Sequence, residues 1–160
     1  MLTTSLHHQI YAPHRGQERA VRVTVADDHA GFVRILSSHL ERAGLCVVDI
    51  AATGTGALES IRSHQPDVAL VDMRMPGMSG TEVAAATRAL HVQTRVIILS
   101  ANIDLHIIDK AIDSGAYGYI SKDATSHDIA DALYDCARGI PRFPSHTPPE
   151  WAARVFARAE

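Results

Sequence analysis

Asp27, Asp28, Asp72, Ser100 and Lys122 are the residues in this sequence whose types fit a single piece of chemistry. Three carboxylates gathered at one place repel one another and raise their own pKa values. A divalent cation and a lysine ammonium relieve that repulsion, and hard oxygen ligands that leave room for water and phosphate suit Mg²⁺. A carboxylate attacking a phosphoryl group must approach another anion. Metal and ammonium neutralise the phosphoryl oxygens, and positioning does the rest. Asp72 is the candidate nucleophile, because it precedes a Met-Arg-Met-Pro-Gly turn that exposes its carboxylate. The Ser100 hydroxyl can then hydrogen-bond the bound group.

Each residue alone has a plainer reading. Asp27 and Asp28 could cap a helix, where acidic side chains complement the dipole. Asp72 could start a turn, Ser100 close a strand, and Lys122 be a surface cation. The joint reading depends on where the chain puts them.

From residue 21 onward, short β-branched runs alternate with stretches of helical period. The predicted strands are Val21–Ala26, Leu45–Ala51, Asp67–Asp72, Arg95–Ser100 and Ala116–Ile120. Val68-Ala-Leu-Val71 and Val96-Ile-Ile-Leu99 are apolar without alternation, as a parallel strand covered on both faces requires. The first helix carries Phe32, Val33, Leu36, Leu40 and Ala43 on one stripe and closes at Gly44. A second, near Gly56–His64, is stopped by Pro66. The third starts at a Ser79 N-cap with Glu82 completing a capping box. The fourth holds Leu105, Ile108, Ala111 and Ile112 before Gly115, and the fifth runs from Ser126 to Arg138 with Ile129, Leu133, Cys136 and Ala137 inward.

Such a succession of β–α units folds as a doubly wound parallel α/β sheet, because each crossover is right-handed. Ligands of these sheets sit at the carboxyl ends of the strands. Asp27-Asp28, Asp72, Ser100 and Lys122 all fall there, on different β–α junctions. Five suitable residues in such places are hard to reach by chance.

The rest of the chain narrows the classes. Residues 1–20 read as a flexible leader, 21–140 as the globular domain, and 141–160 as a proline-rich linker with a short helix. Thr147-Pro-Pro-Glu150 fits a capping box for that helix, with Trp151, Val155, Phe156 and Ala159 as its apolar face. A net charge of −3 gives no basic field for nonspecific nucleic-acid binding. No apolar stretch reaches the ~18 residues of a membrane span, and the polar start is unlike a signal peptide. Cys46 and Cys136 lack metal-ligand spacing and read as buried, reduced thiols of a cytoplasmic protein. The ten histidines are scattered without a metal motif.

Residues 21–140 resemble the receiver domains of two-component response regulators (CheY-like). The likeness is carried by Val25-Ala-Asp-Asp-His29, Leu70-Val-Asp-Met-Arg-Met-Pro-Gly-Met-Ser-Gly80, Ile98-Leu-Ser-Ala101 and Gly115-Ala-Tyr-Gly-Tyr-Ile-Ser-Lys-Asp123. Asp-Asp-His29 and Gly115-Ala-Tyr-Gly-Tyr119 are most similar to receivers of the NarL/FixJ (LuxR-type) subfamily. The resemblance implies a five-stranded sheet of order 2-1-3-4-5 and a non-enzymatic switch. Asp72 would accept phosphate from a cognate sensor histidine kinase. Asp28, Asp72 and the backbone carbonyl of Arg74 would hold Mg²⁺ directly, with Asp27 acting through water. Lys122 would pair with phosphoryl oxygens, and Ser100 with Tyr119 would form the switch, the ring turning inward as the hydroxyl moves. The output would be transcription through a missing or separate domain, since no complete helix-turn-helix follows and the chain alone is not expected to bind DNA. The face of the fourth and fifth helices is a candidate homodimer surface.

Rival readings fit less well. A phosphatase of the haloacid dehalogenase class needs a second aspartate two residues after its nucleophile, and Arg74 or His29 stands there instead. A flavodoxin-like nucleotide binder needs a phosphate loop where Asp27-Asp28 would repel phosphate. A phosphorylation-independent interaction module of receiver type should have lost a site residue, and none is lost.

Overall fold

A computed structural model of the chain describes residues 19–157, so most of the expected leader, and Ala159, lie outside the described residues. The elements alternate as β1 (Arg22–Ala26), α1 (Ala30–Arg42), β2 (Cys46–Ala51), α2 (Gly54–His64), β3 (Val68–Asp72), α3 (Gly80–Ala89), β4 (Arg95–Ser100), α4 (Leu105–Ser114), β5 (Gly118–Ser121), α5 (Ser126–Ala137) and a short α6 (Trp151–Phe156). The strands form one five-stranded parallel sheet in the order β2-β1-β3-β4-β5. Arg19, assigned to the leader from the sequence, grips Asp67 with both guanidinium nitrogens at 2.8 and 2.9 Å.

The apolar runs explain the layering. Along β3, Val68 and Leu70 face one side while Ala69 and Val71 face the other; along β4, Ile97 and Leu99 alternate with Val96 and Ile98. The first set meets Val33, Leu36 and Leu40 of α1 and Ile129 and Leu133 of α5. The second meets Ile61 of α2, Val83 of α3, and Ile108 and Ile112 of α4. Each central strand thus buries both faces, which removes them from water at about 25 cal/mol per Å² of apolar area.

The edges differ from the centre. β2 is an edge strand, so Cys46 is exposed while Cys136 is buried. The expected burial of Cys46 is therefore corrected: its apolar run lies at the rim of the sheet. Cys136 lies deep among α5 neighbours, and burial pushes its thiol up to about 12.

The Ser79 cap and the Pro66 stop follow the sequence, and the start of α6 does not. Ser79 accepts the Glu82 amide at 3.2 Å, and Thr125 and Asp104 cap α5 and α4 in the same way. α2 ends with Gln65 in the left-handed conformation (φ 44), directly before Pro66. At α6 the expected Thr147 box does not form. Glu150 is the N-cap without a side-chain hydrogen bond, and three-residue turns from Pro148, Pro149 and Glu150 start the helix. Thr147 is buried with its hydroxyl unpartnered, because those prolines offer it no amide to cap.

One close approach matters for the loop that follows Asp72. The Gly54 amide donates to Pro76 O at 3.0 Å, and a Cβ on Gly54 would lie 2.0 Å from the Met78 carbonyl oxygen. The start of α2 and the β3–α3 loop are therefore in backbone contact. Gly54→Ala should destabilise the fold by about 1–3 kcal/mol through overpacking, despite alanine's better helix propensity. Urea unfolding of the two proteins measures this; an unchanged midpoint would mean that the loop moves aside freely.

Candidate functional site

The switch in strand order lies between β1 and β3, where the chain departs in opposite directions after Ala26 and Asp72. Asp27 directly follows β1, its amide held by Ala51 O at 3.0 Å. Asp72 is the last residue of β3 and pairs in register with Leu99. Ser100 closes β4, and Lys122 follows β5 with its amide on Ser100 O at 2.9 Å. Sheet pairing, not loop folding, sets the spacing of these four residues.

The structure brings all the predicted polar residues together around a cleft of about 440 Å³ lined by Asp28, His29, Asp72, Arg74, Ser100 and Lys122, among others. Asp27 and Asp72 are buried, at 2% and 5% exposure, whereas Asp28 is exposed. The Lys122 ammonium sits 2.8 Å from Asp27 Oδ2 and 3.2 Å from Asp72 Oδ2. Its other side lies 5.3 Å from the centre of the Phe32 ring, a cation–π distance. The approach to Asp27 leaves the buried Oδ2 without an aligned hydrogen-bond donor. Arg74 lies beside Asp72, its amide a long 3.5 Å from Asp72 Oδ1.

Charge is divided unequally between the buried carboxylates. Burial pushes Asp27 up, but the Lys122 contact, the His29 amide and the His29 ring more than reverse this, holding its carboxyl below the ordinary range. For Asp72, burial and then the Asp27 charge raise the pKa, and Lys122 and the Arg74 amide only partly offset them. Burial alone would lower Lys122; its two carboxylate partners raise it instead. The expectation that crowding raises every carboxyl is thus corrected for Asp27, since the lysine stands nearest to it.

His29 is the member that sequence reasoning missed. Its ring Nδ1 lies 3.2 Å from Asp27 Oδ1 and 3.3 Å from Asp28 Oδ1, and its amide donates to Asp27 Oδ1 at 3.0 Å. Among the scattered histidines, the signal was its place two residues after Asp27, where an Asx turn folds the chain back on the carboxylate. One ligand atom from each of Asp27, Asp28, His29 and Asp72 lies within 4.8 Å of the others. A set dominated by carboxylate oxygens beside an open cleft, with a buried oxygen lacking an aligned donor, fits a hard divalent cation of the Mg²⁺ kind.

Ser100 and Tyr119 lie on neighbouring strands. The Ser100 Oγ accepts the Asn102 amide at 3.1 Å. The Tyr119 ring is already inside, 1% exposed, and its hydroxyl donates to the Asn102 carbonyl. Burial raises the Tyr119 pKa, so it remains a donor.

A parallel sheet of this order, with buried carboxylates and a lysine on its carboxyl edge, is the arrangement of receiver domains. The profile of the response regulator receiver domain matches residues 23–134, and the chain belongs to that family. It is 46% identical over 127 residues to NarL of Mycobacterium tuberculosis, a probable transcriptional regulatory protein, covering 77% of this chain and 57% of that protein. The transcriptional regulatory protein YvfU of Bacillus subtilis is 32% identical over 120 residues, covering 74% of this chain and 60% of YvfU. The signal receiver domain of Mycobacterium tuberculosis NarL superposes with a TM-score of 0.74 at 44% identity, over 76% of this chain and 98% of that structure. The chain thus spans little more than half the length of the curated relatives it matches. It is a receiver domain of NarL type, and none of the helices among the described residues is long and apolar enough to cross a membrane.

Replacing Asp72 should show the cost of its environment. A carboxyl whose folded pKa lies above its unfolded value opposes folding once ionised. That penalty accumulates as pH rises from the unfolded pKa through the folded one, and is absent below both. Asp72→Asn should therefore melt roughly 2–4 °C higher than the parent near neutral pH. The gap should close as pH falls toward about 4, the ordinary carboxylate range. Thermal melts followed by circular dichroism across that range check it; a gap independent of pH would rule out ionisation of Asp72 as the cause.

Proposed function

We propose that Asp72 is the phosphoacceptor of a two-component system, loaded by a cognate sensor histidine kinase. The observation that carries this reading is a buried carboxylate of raised pKa, 3.2 Å from a lysine ammonium, at the mouth of an acidic cleft. A carboxylate oxygen of Asp72 attacks phosphorus, an oxygen–phosphorus bond forms, and the phosphorus–nitrogen bond to the kinase imidazole breaks. The imidazole leaves and takes up a proton.

Asp28, Asp72 and the Arg74 carbonyl would hold Mg²⁺, with Asp27 acting through water. When bound, the ion neutralises charge on the transferring phosphoryl oxygens. Lys122 supplies the second positive charge and exchanges its Asp72 contact for a phosphoryl oxygen. Asp27 keeps that ammonium in place. His29 holds Asp27 through its amide and its ring Nδ1, with Asp28 Oδ1 3.3 Å from the same ring nitrogen.

The Ser100 hydroxyl turns toward the new phosphoryl group. In doing so it gives up the Asn102 amide, and the β4–α4 loop to which Tyr119 is anchored follows. With the ring already inward, the loop and α4 carry the change, a bistable element biased by a local charge. The output is transcription in the cytoplasm through another domain or partner, and a homodimer through the α4–α5 face would need residues 142–156, which cover part of it, to move.

The test is direct. The protein and Asp72→Asn are incubated with acetyl phosphate and Mg²⁺ and weighed intact. The parent should gain one phosphoryl mass, lost on chelating the metal beforehand; Asp72→Asn should gain at least tenfold less. A parent that gains nothing would instead be a receiver working through contacts alone, and continuous turnover of phosphoesters would mean an enzyme.

A further inference from the structure

Residues 140–156 do not trail away from the domain; they cross it. Arg142 adds a parallel bridge to the free edge of β5, with the Tyr119 amide donating to Arg142 O at 2.8 Å. The Arg142 guanidinium is tied down by Asp135 of α5. Phe143 then packs on the same apolar cluster as Tyr119, Ile108 and Ile112. Further on, His146 Nε2 meets the Ile103 carbonyl at 3.0 Å. The chain turns there and α6 runs back along α4. Arg154 bonds Asp109 Oδ1 at 2.7 Å and Asp113 Oδ1 at 2.9 Å, while Val155 is buried among α4 neighbours. Phe156 meets the Tyr117 ring edge-on, 6.5 Å between centroids.

This path touches the one loop that the site also touches. Three backbone groups on two successive residues of that loop are held from different sides. The Asn102 amide is held by Ser100 and the Asn102 carbonyl by Tyr119, while the Ile103 carbonyl is met by His146. A movement that begins at Ser100 must strain or break the His146 contact. The grip is also weak by construction. α6 has six residues, too few to stay helical without its docking surface. Its ion pairs are partly exposed and contribute little. The buried Thr147 hydroxyl has no partner, which counts against the docked arrangement.

We infer that residues 140–156 are a displaceable strap that favours the unphosphorylated arrangement of the β4–α4 loop and α4, and that phosphoryl transfer to Asp72 loosens it. The inference rests on the phosphoacceptor reading above. Linkage makes the effect reciprocal: if phosphorylation disfavours docking, docking disfavours phosphorylation by the same factor.

The chain carries its own reporter, since its single tryptophan is Trp151, in the strap, half-buried with the Arg154 guanidinium 5.4 Å from its ring. The full 160-residue chain is treated with acetyl phosphate and Mg²⁺ while intact mass, Trp151 emission and amide exchange are followed. Emission should move to longer wavelength, and exchange in residues 142–156 should quicken, in proportion to phosphoryl mass. An Arg154→Ala, Val155→Asp double variant should show the red-shifted emission before any phosphorylation. Its initial phosphorylation should be roughly fivefold faster or more. Phosphoryl mass gained with neither emission nor exchange changing overturns the strap alone. So does an undocked double variant phosphorylated at the parental rate. A parent that gains no mass overturns the phosphoacceptor reading and the strap's role with it.

Discussion

The competition of two buried carboxylates for one ammonium is the constraint on which the rest of the structure turns. Lys122 stands nearer Asp27 than Asp72, so one carboxylate is held as a firm anion and the other is left under-neutralised. An asymmetric arrangement of this kind is more useful than a symmetric one. The satisfied carboxylate fixes the lysine. The unsatisfied one has most to gain from new positive charge. The sheet enforces the asymmetry, because register places Asp72 opposite Leu99 and ties Lys122 to Ser100 through the backbone.

Much of this was legible in the sequence, for a physical reason. Runs such as Val68–Val71 and Val96–Leu99 can be satisfied only by a strand buried on both faces. The alternation with amphipathic helices then dictates right-handed crossovers and a common carboxyl edge. Asp27, Asp28, Asp72, Ser100 and Lys122 follow from that edge alone. The Ser79 cap was readable because its hydroxyl and Glu82 sit at a fixed local spacing.

What escaped was set by tertiary surroundings. The part of His29 depends on a two-residue turn that wraps it onto Asp27, which the spacing of histidines along the chain does not announce. Cys46 occupies an apolar run but an outer strand, and strand order is not written in local hydrophobicity. The Thr147 box failed because prolines that favour a helix start also remove the amides a cap would bind. The division of pKa values between Asp27 and Asp72 came from burial, the Lys122 ammonium, the His29 contacts to Asp27 and the Asp27 charge beside Asp72. Composition and spacing do not encode that.

The bridge from Arg142 to Gly118 has a colloidal meaning as well. An open parallel sheet ends in two rows of unpaired amides and carbonyls, each a template for a foreign strand. On the outer side, β2 shifts register against β1 between Val23 and Thr24 and carries Asp49, which spoils a flat, apolar edge. On the other side, β5 is four residues long and is partly covered by the chain's own continuation. Whatever lifts that cover also uncovers a short, sticky margin and frees Phe143 and Trp151, which belong to the cover. Solubility and the docking of residues 140–156 are therefore linked through the same stretch of backbone.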